Sequence, residues 1–169
     1  MSLSEQWSQA YARQADADLR AWEQYERHPA ALAADCHKLQ HLQMACEKLC
    51  KAYLLKAGTP AVRLQSSHGY VAGPLPLVIR EEILHRRKEL RGVEWVVTHV
   101  RHLAQEIEVL TPSVDRGGLR PDNCEYPWLV GDRVCSPLDH VFALSRLVDA
   151  AAGRTFLKLL RLAIDRAMA

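Results

Sequence analysis

The sequence has almost none of the alternation between β-branched and polar residues that is typical of β-strands. It also lacks a long apolar run. The charge-free stretch at residues 64–79 is shorter than the ~20 residues that cross a membrane, and it contains Gly69, Gly73, Pro74 and Pro76. These absences argue against a β-protein and against a membrane-spanning helix.

Three further absences bear on compartment and partners. Residues 1–7 do not show the basic start and apolar segment of a secretory signal. The five cysteines are odd in number and irregularly spaced, which does not fit the disulfide framework of a secreted domain. The net charge is only +2, which excludes a strongly basic nucleic-acid coat. We therefore expect a reduced, cytoplasmic protein with no membrane partner.

Helical patterns dominate what is present. The chain has 169 residues, of which 49% are apolar and 25% charged, as in one ordinary globular domain covering residues 1–169. Apolar residues recur at helical spacing in about five segments: 4–27, 31–57, 75–90, 93–110 and 138–168. We expect the helical pattern to break at Gly92. We also expect the last helix, with residues 141–168 as its main part, to form two pieces around Gly153. The predicted fold is all-α: an antiparallel up-and-down bundle of four to five helices.

The segment before the last helix stands apart. Residues 111–140 contain four prolines and three glycines and predict a long irregular segment. Such a segment is either a functional loop or a cover packed over the bundle by Tyr126, Trp128, Leu129 and Val130.

Most candidate chemistry has a simpler structural interpretation. Cys46 and Cys50 share the apolar face of the second helix, where free cysteines behave as small core residues. Cys124, Cys135 and His140 do not have zinc-ligand spacing, so we predict no metal and no cofactor. His37 and His41 lack the glutamate of a metalloprotease pair. The basic run 80–91 alternates with glutamates, which favours a solvated face of ion pairs over a phosphate-binding surface.

The second helix carries a family resemblance. Residues 39–55 resemble the central helix of HEPN domains, through the ordered pairs Glu47-Lys48, Lys51-Ala52 and Leu54-Leu55. Ser67-His68 follows where that family has a Ser or Thr before His, and Ala17-Asp18-Leu19 resembles an Asp-Leu pair in its first helix. The resemblance covers about residues 5–110. It implies a helical bundle that commonly dimerises.

The resemblance also implies two kinds of function. Some HEPN proteins are metal-independent ribonucleases in which Arg precedes His by four to six residues. The His moves protons during attack of the ribose 2′-hydroxyl, and the Arg stabilises phosphate charge. The spacing occurs here at Arg63–His68, Arg80–His85 and Arg133–His140, about as often as chance predicts. The other HEPN proteins are non-catalytic modules that bind nucleotides or partners.

Our leading interpretation is a HEPN-like protein, expected to be a homodimer, that binds a protein partner or a nucleotide. The alternatives are a toxin-type endoribonuclease acting on RNA and a purely structural oligomerising bundle. The candidate catalytic residues are Arg80, His85, Arg133 and His140. The candidate ligand-binding residues are Ser67, His68, Lys48 and Lys51.

Overall fold

The structure, a computed structural model, describes residues 1–28, 34–86, 95–114 and 121–169. It is mostly helical, which confirms the helical part of the prediction. Seven α-helices lie in the described ranges, more than the four to five predicted: α1 (Leu3–Arg27), α2 (Asp35–Lys56), α3 (Ala61–Gln65), α4 (Pro74–His85), α5 (Val96–Glu108), α6 (Ala143–Asp149) and α7 (Ala151–Met168). Two short strands, β1 (Trp128–Val130) and β2 (Arg133–Cys135), form an antiparallel hairpin.

Helices α1 and α2 form an antiparallel pair. A capping box starts α1, in which the Ser2 hydroxyl accepts from the amide of Glu5 and the Glu5 carboxylate accepts from the amide of Ser2. Near that end the Ser8 hydroxyl donates to the Ala52 carbonyl at 3.0 Å, and near the other end Lys38 pairs with Glu26 at 2.8 Å. The start of α1 therefore lies against the end of α2.

Helix α2 is the centre of the core. Leu39, Leu42, Cys46 and Cys50 are completely buried, in a cluster that also takes side chains from α1, α4, α5, α6 and α7. Burial raises the pKa of the Cys46 and Cys50 thiols. The core role predicted for these two cysteines is confirmed.

The irregular segment contains regular structure that the sequence prediction missed. A 3-10 turn covers Pro112–Val114, and the β-hairpin follows. The two-residue turn Gly131-Asp132 joins the strands, with Gly131 at φ 60°, a left-handed conformation that glycine adopts without strain. A Gly-Asp pair between two short apolar runs is itself a hairpin signal, so the pattern was present in the sequence.

The hairpin packs through only one of the residues predicted to cover the bundle. Trp128 is 9% exposed, whereas Tyr126, Leu129 and Val130 are 61%, 65% and 56% exposed. The expectation that these three residues pack over the bundle is wrong. Leu129 lies at the surface because it is on the outer face of the strand. Val130 lies at the surface because it is next to the turn.

The last helix also differs from its prediction. The helix is interrupted at Ala150, between α6 and α7, whereas Gly153 is buried inside α7. A methyl group on Gly153 would meet the carbonyl oxygens of Leu147 and Val148. This glycine therefore permits α7 to approach the backbone of α6 closely, and it does not interrupt the helix. The predicted break at Gly92 and the predicted helix start at Ala31 lie outside the described residues.

No helix in the described part of the chain is long and apolar enough to cross a membrane.

Candidate functional site

A row of polar residues lies buried on the central helix. Gln43, Glu47 and Lys51 follow one another at steps of four on α2, so they share one helix face. They are 4%, 6% and 4% exposed. Glutamate and lysine are almost never this buried unless they are paired. This row is therefore the centre of the candidate site.

The three side chains converge on the Glu47 carboxylate. Lys51 Nζ lies 2.7 Å from Glu47 Oε1, and Gln43 Nε2 donates to Glu47 Oε2 at 2.8 Å. Lys51 Nζ also lies 5.9 Å from the centroid of the Tyr11 ring on α1, which is a cation–π distance. The negative charge is thus neutralised, and both carboxylate oxygens have partners.

His68 is the exposed member of this group. The loop after α3 brings His68 Nδ1 to 3.1 Å from Glu47 Oε1, while 53% of the imidazole side chain is exposed. A carboxylate at Nδ1 favours the tautomer that carries its proton there, which leaves Nε2 as a free acceptor. Gln43, Glu47, Lys51 and His68 are called the Glu47 cluster below. Chemically, it can present one oriented imidazole nitrogen to a ligand or to a proton.

The structure brings together two of the four predicted ligand-binding residues. Lys51 and His68 meet on Glu47. The Lys48 ammonium instead forms an ion pair with Asp18 of α1. Ser67 adjoins His68, and its hydroxyl accepts from the amide of Gly69 at 3.4 Å.

The Arg80–His85 pair lies along α4. Its five-residue step turns the helix by about 140° beyond one full turn, so the two side chains leave on different sides. Arg80 lines a groove of about 320 Å³ with Arg101 of α5, and His85 is the exposed last residue of α4. No hydrogen bond joins them within the described ranges.

The Arg133–His140 pair lies at opposite ends of the hairpin segment. Arg133 is exposed beside the turn. His140 packs edge-on against Trp128 and Phe142, and its Nε2 lies 4.0 Å from Asp122 Oδ2. These contacts give His140 a packing role at the base of the hairpin.

Arg63 lies on α3, five residues before His68. Its carbonyl oxygen accepts a hydrogen bond from the Tyr70 hydroxyl at 3.0 Å, which ties α3 to the loop after it. Among the residues that the structure describes, the Arg63 guanidinium has no hydrogen bond or ion pair to His68.

Two further buried carboxylates escaped the sequence prediction. Glu108 Oε1 accepts from the amides of Val71 and Ala72, both at 2.9 Å, just before α4 begins. Glu82, which is completely buried, accepts from Arg86 Nε and Arg166 Nε, both at 2.6 Å. Only the four-residue step from Glu82 to Arg86 is a signal that the sequence carries. Both carboxylates fix helices in place.

No group of three or more His, Cys, Asp or Glu residues suited to a metal ion occurs in the described part of the chain.

Comparisons with known proteins returned nothing: no family model, curated protein or solved structure matches the chain.

Proposed function

We propose that the chain is a cytoplasmic, HEPN-like helical bundle of up-and-down topology that acts by binding a protein partner, and that this partner is a second copy of itself. The observation that carries the proposal is an exposed apolar surface on the hairpin segment. The name hairpin patch is used for the six exposed apolar residues of segment 126–141, which are between 56% and 73% exposed: Tyr126, Leu129, Val130, Val134, Leu138 and Val141. Leu129 and Val134 share one face of the strands, and Val130 lies on the other.

The centre of the hairpin patch is a cross-strand pair. Leu129 lies directly opposite Val134 in the strand register, so both side chains emerge on the same outer face. They are 65% and 67% exposed. Exposed apolar side chains that adjoin, as in this pair, are a feature of protein-binding surfaces, whereas single exposed apolar residues are ordinary.

The charges around the hairpin patch favour a second copy. Asp132 and Arg133 adjoin at the turn, and Asp139 follows the second strand. In a two-fold interface the same patch meets itself, so a patch that carries both signs can pair its own charges. The family resemblance, which implies dimers, points the same way.

The oligomeric state tests this proposal through two matched substitutions. Val134→Asp places a charge in the hairpin patch, and Val62→Asp places one at an equally exposed valine of α3 (71% exposed). Light scattering after size-exclusion chromatography should give a dimer for the parent and for Val62→Asp, and a monomer for Val134→Asp. A monomeric parent chain, or a dimeric Val134→Asp variant, would overturn the proposal.

A second candidate function is metal-independent RNA cleavage. Its support is the Glu47–His68 contact, since a carboxylate-held imidazole with Nε2 exposed is suited to take a proton from a ribose 2′-hydroxyl. The arginine would come from Arg63 or from the second copy in the dimer.

Cleavage of a mixed RNA substrate in the presence of EDTA tests this candidate. His68→Ala should abolish cleavage, Glu47→Gln should reduce it, and His85→Ala should leave it unchanged. Cleavage that survives His68→Ala, or no cleavage by the parent dimer, would exclude His68 as the base.

A further inference from the structure

A cavity of about 270 Å³ opens between the end of α2, the middle of α4 and the end of α7. It lies away from both the Glu47 cluster and the hairpin patch. Its walls are apolar, formed by Leu49 of α2 and Val78 of α4. Three alanines, Ala52 of α2 and Ala163 and Ala167 one turn apart on α7, leave the space where larger side chains would fill it.

The cavity also has polar lining residues, whose geometry is fixed by hydrogen bonds. The Tyr53 hydroxyl donates to Glu81 Oε1 at 2.9 Å. That bond, with burial, raises the pKa of Tyr53, so the hydroxyl keeps its proton. Arg166 Nε donates to the buried carboxylate of Glu82 at 2.6 Å, which holds the guanidinium at the cavity wall.

Two cationic groups that line the cavity, the Arg166 guanidinium and the Lys56 ammonium, keep donors that can bind a ligand. Arg166 Nη2 is 3.9 Å from Glu81 Oε2, beyond hydrogen-bond distance. Neither terminal Nη atom of Arg166 has a hydrogen bond to another described residue. Lys56, which also lines the cavity, has no ion pair within the described ranges. The charged lining is therefore two cations, Lys56 and Arg166, and one anion, Glu81, for a net charge of +1.

We infer that this cavity binds a small monocarboxylate with a compact apolar body. The apolar body lies against Leu49, Val78 and the alanines, and the carboxylate accepts from Arg166 and Lys56. A single negative charge matches the net lining charge of +1, whereas a phosphate dianion would bring one more negative charge than the lining neutralises. The inference does not depend on the hairpin patch or on His68.

Isothermal titration with sodium hexanoate, 1-hexanol and hexylammonium chloride tests the inference on the full-length protein. Hexanoate should bind saturably and at least tenfold more tightly than the neutral alcohol, and the ammonium should not bind. Lys56→Gln should weaken hexanoate several-fold. Lys158→Gln, which removes an exposed lysine from α7 outside the cavity, should have no effect.

A second variant separates the cavity from its charges. Ala167→Leu fills cavity space from a half-buried position, so it should abolish hexanoate binding while the thermal unfolding midpoint stays within a few degrees of the parent. Equal binding of hexanoate and hexanol, or hexanoate binding that survives Ala167→Leu, would overturn the inference. Arg166→Gln is less suitable, because it also removes a partner of the buried Glu82.

Discussion

In the helical body, side chains such as Leu39, Val100 and Phe156 are completely buried, whereas in the hairpin segment Leu129 and Val134 stand about two-thirds exposed. Trp128 alone of the strand residues is buried, so the hairpin is anchored through one face and open on the other. A two-stranded hairpin is marginal by itself. Its exposed face therefore contributes little to the stability of the monomer and is available for recognition.

The helical body, which is the seven helices that the structure describes, and the hairpin segment also differ in whether their charged side chains are buried or exposed. The body buries carboxylates and pairs each one: Glu47 with Lys51, Glu82 with two arginines, and Glu108 with backbone amides. The hairpin keeps Asp132 and Arg133 in solvent. Substitutions in the body should therefore change the free energy of unfolding, and substitutions in the hairpin should change association.

The largest effect is expected for Glu47→Ala. It leaves the Lys51 ammonium buried without its carboxylate, which costs about 3–5 kcal/mol of the free energy of unfolding. Urea titration followed by circular dichroism measures the loss. The apolar double variant Glu47→Leu with Lys51→Met is the control and should recover more than half of it, because no unpaired charge remains. A double variant as unstable as the single one would show that the pair is not the cause.

The next largest effect is expected for Gly153→Ala. The added methyl group meets backbone carbonyls of Leu147 and Val148 and forces α6 and α7 apart, at about 3 kcal/mol. At Gly73 a methyl group meets no atom within 4 Å, so Gly73→Ala is the matched control. The thermal unfolding midpoint of Gly153→Ala should be clearly lower than that of Gly73→Ala. Equal midpoints would contradict the close approach at Gly153.

A smaller effect, with a pH signature, is expected for Asp16→Asn. Burial raises the pKa of Asp16, but hydrogen bonds from Arg20 and Arg161 outweigh burial, and the pKa lies below its ordinary value. The carboxylate therefore stabilises the fold above the ordinary aspartate pKa of about 4, and this stabilisation is lost as the pH falls through the lowered value.

Urea titrations across pH measure this signature. The free energy of unfolding of the parent should exceed that of Asp16→Asn by about 1 kcal/mol at pH 7, and the two should converge as the pH falls through the lowered pKa of Asp16. Asp165 faces the same Arg161, but at 4.0 Å and with 50% of its side chain exposed. Asp165→Asn should therefore show a much smaller difference. A gap between parent and Asp16→Asn that stays constant down to pH 2 would contradict the assignment.

The smallest effect on monomer stability is expected for Val134→Asp, at less than about 0.5 kcal/mol. The identical substitution at the completely buried Val100 should unfold the protein, because it buries an unpaired charge. Measured at a concentration low enough to dissociate dimers, a large loss for Val134→Asp would erase the distinction between hairpin and body.

The ends of the first two helices followed closely from the sequence, because apolar spacing is a local signal. Helix α1 ends at Arg27, as predicted, and α2 ends at Lys56, one residue before its predicted end at residue 57. The hairpin was missed because its strands have three residues each, too few to show alternation. Its Gly131-Asp132 turn was the available signal.

The site was only partly predictable for a different reason. Lys51 and His68 were predicted, but their meeting on Glu47 depends on how the loop after α3 returns to α2. The Glu82–Arg166 contact joins residues 84 positions apart, which no local pattern reveals. The cavity likewise depends on three alanines from two helices, each of which looks unremarkable in the sequence.

Disulfide crosslinking tests the proposed self-association most directly. Burial raises the pKa of Cys36, Cys46, Cys50 and Cys124, so in a Cys135→Ser background the native thiols are unreactive. Under mild oxidation, Leu129→Cys or Val134→Cys in that background should form a covalent dimer, and Val62→Cys should not. Failure of both hairpin positions to crosslink, or equal crosslinking at Val62→Cys, would contradict a dimer built on the hairpin patch.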